Sequence, residues 1–342
     1  MTSTDTDLRT IPFDPELKSG ANNAVFVCLS IQPAEKVTLI TDQACEEIAA
    51  SLVAALEECG CPYRTFVLED LAPRPLVDMP QAILDDMESS RVSIFAAQAQ
   101  RNELRSRMQM TDVVNRRKLR HAHMVNIEKN IMLEGMRANF LEVDELSRRV
   151  LAIVKNARVI RAVTPAGTNI TAEFTPEYKW IKTSGLISPE KWGNLPGGEI
   201  FTSPLNVNGT FVVDGVVGDY LCSKFGDLRD TPLTIEIAEN RLLEAYSENK
   251  KLEEEFWAYT HTDENSDRVG EFAIGTNIAI RDVIGNILQD EKIPGVHMAF
   301  GNPYGLHTGA QWSSSTHIDV VGRKFDIWAD ERKIMDQGDF LV

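Results

Sequence analysis

Strand patterns and helix patterns alternate through the first half of the chain, and this alternation constrains the fold most. Residues 36–41 form an apolar run with strand character, and residues 45–58 repeat apolar side chains at helical spacing before Gly60. The same order of strand and helix continues to Ile127. Because two parallel strands need a long crossover connection, usually a helix, the pattern predicts an open α/β domain with parallel strands.

Strand patterns dominate the second half of the chain. Residues 159–174 predict a hairpin that opens a second domain, and we expect only two helices to interrupt the later strands, at 241–257 and 278–288. A length of 342 residues suits two domains. We therefore predict an N-terminal α/β domain over residues 1–157 and a strand-rich α+β domain over residues 158–342.

Five side chains that can bind a metal ion fall in short, glycine-flanked segments of the second domain. They are Glu199, Glu271, His297, His317 and Asp319. Residues i and i+2 of a strand point to the same face, so His317 and Asp319 would project together. Imidazole nitrogen and carboxylate oxygen are ligands that zinc, manganese and iron accept. The pattern predicts a metal-dependent active site.

Each of these residues also has an ordinary structural interpretation. A glutamate after Gly197 and Gly198 fits a solvated turn, and His297 between two apolar neighbours fits a core histidine. The coincidence of five such residues favours the metal site, because a carboxylate or imidazole buried among apolar strands is costly without a partner.

Four segments together resemble the M29 family of metallo-aminopeptidases. They are Asn194 to Glu199, Gly270 to Gly275, His297 to Gly301 with Tyr304 after it, and Thr316 to Asp319. They occur in the family's order and with similar spacing, and they cover the C-terminal half of the chain. None of the four is specific alone.

The resemblance implies a role for each matching residue. It implies that Glu199, Glu271, His297, His317 and Asp319 bind two divalent ions, which could be zinc, cobalt, manganese or magnesium. It also implies that Tyr304 is catalytic and that the chain forms a homodimer. Glu199 or Glu271 could serve as the general base, since a carboxylate beside metal-bound water can take its proton. The implied substrate is a peptide or a small amide with a free amino end.

Iron dioxygenases that cleave dihydroxypyridine rings share this fold and match the chain in length. Their site resembles a triad of two histidines and one carboxylate around a single Fe(II). In those enzymes a histidine occupies the place of Glu271, and the equivalent of His297 is absent. Both residues are kept here. The hydrolase is therefore favoured, and the dioxygenase is the alternative.

Composition excludes several partners. The net charge is −16, which argues against nucleic acid and anionic membranes, since both need basic surfaces. The polar start of the chain lacks the pattern of a signal peptide, so we expect a cytoplasmic location. The spacing of His121 and His123 is that of metal ligands, but four basic neighbours favour a solvated approach to a strand.

Overall fold

The computed structural model describes residues 6–342, and the chain divides into two compact units. The first unit runs to Phe140 and also includes Gly185–Gly197, whereas the second comprises Leu141–Ser184 and Gly198–Val342. The mixed α/β fold class that the sequence predicts is confirmed.

The strands and helices are numbered in chain order. The strands are β1 (Val37–Thr41), β2 (Tyr63–Val67), β3 (Val92–Ala97), β4 (Arg120–Val125), β5 (Val159–Val163), β6 (Asn169–Glu173), β7 (Ile181–Thr183), β8 (Gly193–Asn194), β9 (Glu199–Thr202), β10 (Asn206–Val213), β11 (Leu233–Ala238), β12 (Arg241–Ser247), β13 (Val269–Gly275), β14 (Gly295–Gly301), β15 (His317–Val321), β16 (Asp326–Ala329), β17 (Arg332–Asp336) and β18 (Asp339–Phe340). The α-helices are α1 (Lys18–Asn22), α2 (Glu46–Cys59), α3 (Leu68–Leu71), α4 (Gln81–Glu88), α5 (Leu104–Arg117), α6 (Lys129–Leu133), α7 (Phe140–Val154), α8 (Asp219–Phe225), α9 (Lys250–Tyr259), α10 (Ile287–Asp290) and α11 (Gly305–Thr308).

The first unit is built on a parallel sheet with the strand order β2-β1-β3-β4-β8. Its central strands β1 and β3 are buried along their whole length, as expected for a sheet covered by helices on both faces. Helix α2 ends at Gly60, whose φ of 70° lets its N–H close the last turn on Leu56 and Glu57. The predicted alternation of strand and helix therefore gives parallel strands.

The second unit contains two antiparallel sheets. The larger has the order β12-β11-β10-β6-β5-β16-β17-β18, and the smaller has the order β15-β14-β13-β9-β7. Apolar side chains of both sheets, such as Phe211, Phe272 and Phe325, join one buried cluster. In the smaller sheet β9, β13 and β14 are buried at every position. Polar residues on these strands therefore sit where water has little access.

The boundary between the units differs from the predicted division at residue 157. Helix α7 contributes Leu146, Val150 and Val154 to the apolar cluster of the second unit. In the other direction, β8 leaves the second half of the sequence and pairs with β4 in the parallel sheet. Both differences arise because contacts distant in sequence decide which core a segment joins.

Two of the predicted helices are wrong in part. Residues 241–247 form strand β12, which pairs with β11, so the helix of this region starts only at Lys250. Within residues 278–288 only Ile287 and Leu288 are α-helical, as the start of α10, and Asn286 caps this short turn through its side-chain oxygen. The apolar residues of both regions predicted helices. Pairing with β11 made the first region a strand, and most of the second region is a loop that ends at the cap Asn286. In residues 6–342, no helix combines the length and apolar character needed to cross a bilayer.

Candidate metal centre

The smaller antiparallel sheet brings the five predicted ligands to one face. Glu199 starts β9, Glu271 lies in β13, His297 lies in β14, and β15 carries His317 and Asp319. Directly paired residues of antiparallel strands share a face, and each ligand is paired with an alanine or a glycine. The pairs are Glu199 with Gly275, Glu271 and Asp319 with Ala299, His297 with Ala273, and His317 with Gly301. The small partners leave space above the sheet into which the longer ligands converge.

The converging groups lie close enough to share a cation. His297 Nε2 is 3.3 Å from a Glu199 oxygen and 3.4 Å from a Glu271 oxygen. His317 Nε2 is 3.4 Å from Asp319 and 3.9 Å from Glu271. Three sets of side chains each place their donor atoms within 4.8 Å of one another: Glu199, Glu271 and His297; Glu271, His317 and Asp319; and Glu291, His297 and Asp319.

Several donor atoms at this site lack a hydrogen bond within residues 6–342, which is the observation that best fits a metal. Both ring nitrogens of His297 and one carboxylate oxygen of Asp319 are buried without a hydrogen-bond partner. The approach of His297 to the carboxylates is close but lacks hydrogen-bond geometry. A buried polar atom left unpaired costs about 1–3 kcal/mol, and coordination to a cation would remove that cost. The residues therefore fit a divalent metal ion.

Surrounding groups orient the candidate ligands. The Nδ1 of His317 lies 3.1 Å from the backbone carbonyl of Asn302, a contact in which Nδ1–H donates and Nε2 is left facing the carboxylates. The hydroxyl of Thr183 donates to Glu199 at 2.8 Å. The turn before Glu199 needs Gly198, which has φ 130° and would bring a Cβ to 2.6 Å from the Cβ of Asn277.

The electrostatics of the cluster favour positive charge. Burial alone would lower the pKa of His297, but the carboxylates of Glu199 and Glu271 raise it to about 10. Burial acts in the same direction on His317, and Asp319 and Glu271 raise its pKa to about 10 as well. Carboxylates that hold protons on these two histidines will also hold a cation in their place, and binding it will release those protons.

Two residues of this cluster escaped the sequence analysis. Glu291 and Lys292 directly follow α10 in the charged run Asp290-Glu291-Lys292, which has the composition of a solvated turn. In the structure Lys292 is only 1% exposed, and its ammonium lies 2.7 Å from Glu199 and also contacts Glu291. The apolar segments on either side of the run were the only sequence signal for its burial.

Tyr304 lies at the rim of the site. Its backbone adopts the left-handed region with φ 49°, and its N–H donates to the side chain of Asn302 at 2.9 Å. The ring centre is 4.6 Å from that of His317 and 5.9 Å from that of Phe201. The residue as a whole is 40% exposed, and burial of its phenol beside the carboxylates of Glu271 and Asp319 raises the pKa of the hydroxyl well above the usual value, so the hydroxyl keeps its proton.

His121 and His123 are not on a solvated approach, which corrects the sequence interpretation. Both belong to β4, and both are buried, at 0% and 8% exposure. The basic neighbours that predicted solvent exposure extend from α5 up to the first residue of β4, before the strand enters the core.

Comparison with known proteins identifies the family of this chain. Residues 142–323, more than half of the chain, match the family described as thermophilic metalloprotease (M29). The chain belongs to that family, which makes it a metal-dependent hydrolase with a divalent metal cofactor and confirms the resemblance seen in the sequence. The comparison with curated proteins returned no match.

Two solved structures share the fold over nearly the whole chain. Wild-type AmpT from Thermus thermophilus has a TM-score of 0.70 at 15% identity, and the match covers 97% of this chain and 100% of that one. A 2,5-dihydroxypyridine dioxygenase from Pseudomonas putida KT2440 has a TM-score of 0.68 at 13% identity, covering 97% and 99%. At these identities both likenesses establish the fold alone.

Proposed function

We propose that the protein is a metal-dependent aminopeptidase that removes the N-terminal residue of a peptide or cleaves a related small amide. The observation that carries the proposal is the convergence of six acidic and imidazole side chains, five of them on one sheet face, with Tyr304 at the rim of the cluster. The six are Glu199, Glu271, Glu291, His297, His317 and Asp319.

Different residues of the cluster would bind the metal ion and take up the proton during amide hydrolysis. Glu271, His317 and Asp319 would hold a divalent ion, which when bound lowers the pKa of water and polarises a carbonyl. A neighbouring carboxylate takes the proton of the attacking water. Although burial would raise the pKa of Glu199, Lys292 and His297 lower it strongly, which makes Glu199 a weak proton acceptor.

Tyr304 would stabilise the carbonyl oxygen of the substrate during the reaction. A phenol that is fixed by the Asn302 turn and keeps its proton beside the carboxylates can donate a hydrogen bond to the oxygen on which negative charge develops. The excess of carboxylates also suits a free amino group, because an ammonium group finds acceptors there and a neutral blocked end does not.

The predicted pair of ions stays a prediction. Glu271 belongs to two of the three sets of donors, as a carboxylate between two ions would, and this favours a pair. The ammonium of Lys292 beside Glu199 opposes a second ion.

The homodimer also stays a prediction, and light scattering of the purified protein tests it.

The dioxygenase alternative receives less support from the site. A triad of two histidines and one carboxylate is the usual iron site of such oxygenases. Each of the three donor sets found within residues 6–342 contains a single histidine. The carboxylate-rich arrangement therefore supports hydrolysis.

The test is cleavage of aminoacyl anilides and short peptides after loading with zinc, cobalt, manganese or magnesium. We expect cleavage of substrates with a free amino end and at least 100-fold slower cleavage of their N-acetyl counterparts, because binding of the amino group positions the amide. Oxygen consumption with Fe(II) and a hydroxylated pyridine, without amide cleavage by any metal form, would overturn the proposal.

A further inference from the structure

A fully buried ammonium group stands inside the metal centre. Lys292 is 1% exposed, and its Nζ lies 2.7 Å from Glu199 and in hydrogen-bond contact with Glu291. Its backbone is fixed at both ends, since its N–H donates to Gln289 and its carbonyl accepts from Asn277. The position of the charge is therefore set by the local chain.

A buried ammonium is costly unless it is paired, and within residues 6–342 the ion pairs of Lys292 are with carboxylates of the metal cluster alone. Two of the three donor sets contain one of these two carboxylates, Glu199 in one and Glu291 in the other. The third set, Glu271, His317 and Asp319, contains neither. The lysine thus competes with a cation at two candidate positions and leaves one position unaffected.

We propose that this centre binds one divalent ion, held by Glu271, His317 and Asp319, and that the ammonium of Lys292 takes the place of a second ion. Four carboxylates contribute four negative charges to the cluster, and one divalent ion with one ammonium supplies three positive charges. Two ions together with the lysine would supply five and exceed them. His297 then stays outside the ligands of this ion, with its Nε2 beside the carboxylates of Glu199 and Glu271 at 3.3 and 3.4 Å.

The inference rests on the proposed function only for the location of the metal centre. Its subject is how many ions the chain holds, which is measured without any substrate. A protein that binds two ions and cleaves amides would contradict this inference and leave the proposed function standing. A protein that binds one ion and cleaves no amide would do the opposite.

Metal stoichiometry tests the inference. The full chain is stripped of metal and dialysed against Zn²⁺ or Mn²⁺, and bound ions per chain are counted by elemental analysis. We expect one ion for the natural sequence and two for Lys292→Met, whose side chain has similar length but no charge and frees Glu199 and Glu291. Lys250→Met, which removes an exposed lysine paired with Glu253, is the control and should bind one ion.

Two ions bound to the natural sequence, or a single ion in a folded Lys292→Met variant, would overturn the inference. The electron paramagnetic resonance spectrum of the Mn²⁺-loaded natural protein gives an answer that needs no variant. We expect the spectrum of isolated Mn²⁺, and the spectrum of a spin-coupled pair would contradict the proposal. The second measurement therefore decides the matter even if Lys292→Met does not fold.

Discussion

Each unit of the molecule contains a pair of histidines, all buried except the half-buried His317, and the two pairs have opposite electrostatic surroundings. In the first unit, His121 contacts Ser93 at 2.8 Å and His123 at 3.2 Å, while the ring of Trp192 packs edge-on against both imidazoles. Burial lowers the pKa of His121 to about 3 and that of His123 well below its usual value. In the second unit, carboxylates raise the pKa values of His297 and His317 to about 10.

These opposite surroundings show that residue type and spacing do not decide whether a histidine can join a metal site. His121 and His123 have the spacing of ligands on one strand face, but their neighbours are a hydroxyl and aromatic rings, among them Phe95 stacked on His123 at 5.3 Å. His297 and His317 lie on different strands and face four carboxylates. A cation is stabilised only where negative charge surrounds it.

Replacing one histidine from each pair tests this comparison with the largest expected effect. His317→Ala should abolish metal retention and turnover, a loss greater than the roughly 100-fold that follows from disturbing a residue behind a ligand. His123→Gln should leave the number of bound ions unchanged. Elemental analysis and anilide turnover of both variants check the prediction. Full metal retention by His317→Ala would remove this residue from the site.

Tyr304→Phe tests whether the second pair, His297 and His317, belongs to a catalytic site. The variant keeps the ring that packs beside His317 but loses the hydroxyl, so we expect kcat to fall by roughly 10²–10³-fold with the metal still bound. Steady-state kinetics and metal analysis of the same preparation give both values. A kcat equal to that of the natural protein would show that the phenol has no part in the reaction.

Thr183→Val tests which carboxylates hold the ion. Thr183 donates to Glu199, which the single-ion arrangement pairs with Lys292 and leaves out of the ligands. Loss of a contact behind a true ligand weakens metal binding by about 10-fold or more, so we expect Thr183→Val to bind the ion as the natural protein does. Competition with a coloured chelator measures the affinities, and a loss of roughly 10-fold in Thr183→Val that is absent from Thr183→Ser would show that Glu199 binds the ion.

The dependence of folding stability on pH should show that the first pair, His121 and His123, is uncharged in the native protein. The native pKa of His121 is about 3, whereas an unfolded histidine has a pKa of about 6.5. The unfolded chain therefore takes up protons first as the pH falls below about 6.5, and native stability is lost from there down to about pH 3. We expect His121 to contribute about 1 kcal/mol of this loss between pH 7.5 and 5.5.

Urea unfolding at these two pH values measures this loss. The variant His121→Gln should lose less stability than the natural protein on acidification, and His261→Gln, which changes an exposed histidine, should lose as much as the natural protein does. The prediction fails when the natural protein and His121→Gln show the same pH dependence.

Much of the site could be predicted because strand periodicity is local. The glycines, the apolar runs and the spacing of His317 and Asp319 indicated strands with ligands on one face, and the structure brings the five predicted residues together on one sheet. The alternation of the first half likewise predicted parallel strands, which the pairing of β1 with β2 and β3 confirms.

The local sequence pattern predicted the wrong structure where contacts between residues distant in the chain determine it. Residues 241–247 carry no decisive strand signal, and their pairing with β11 makes them a strand. The run at Glu291 and Lys292 has the composition of a surface turn, and only the surrounding ligand strands turn it into part of the site.

The sequence by itself determined the fold class, the family and the strands that carry the candidate ligands, because these depend on periodicity and on motifs within short segments. The tertiary structure alone decided which histidines meet carboxylates, where the boundary between the units falls and that an ammonium group enters the metal cluster. The physical reason is that burial and charge act through space, so the state of a side chain depends on neighbours contributed by strands far apart in the chain.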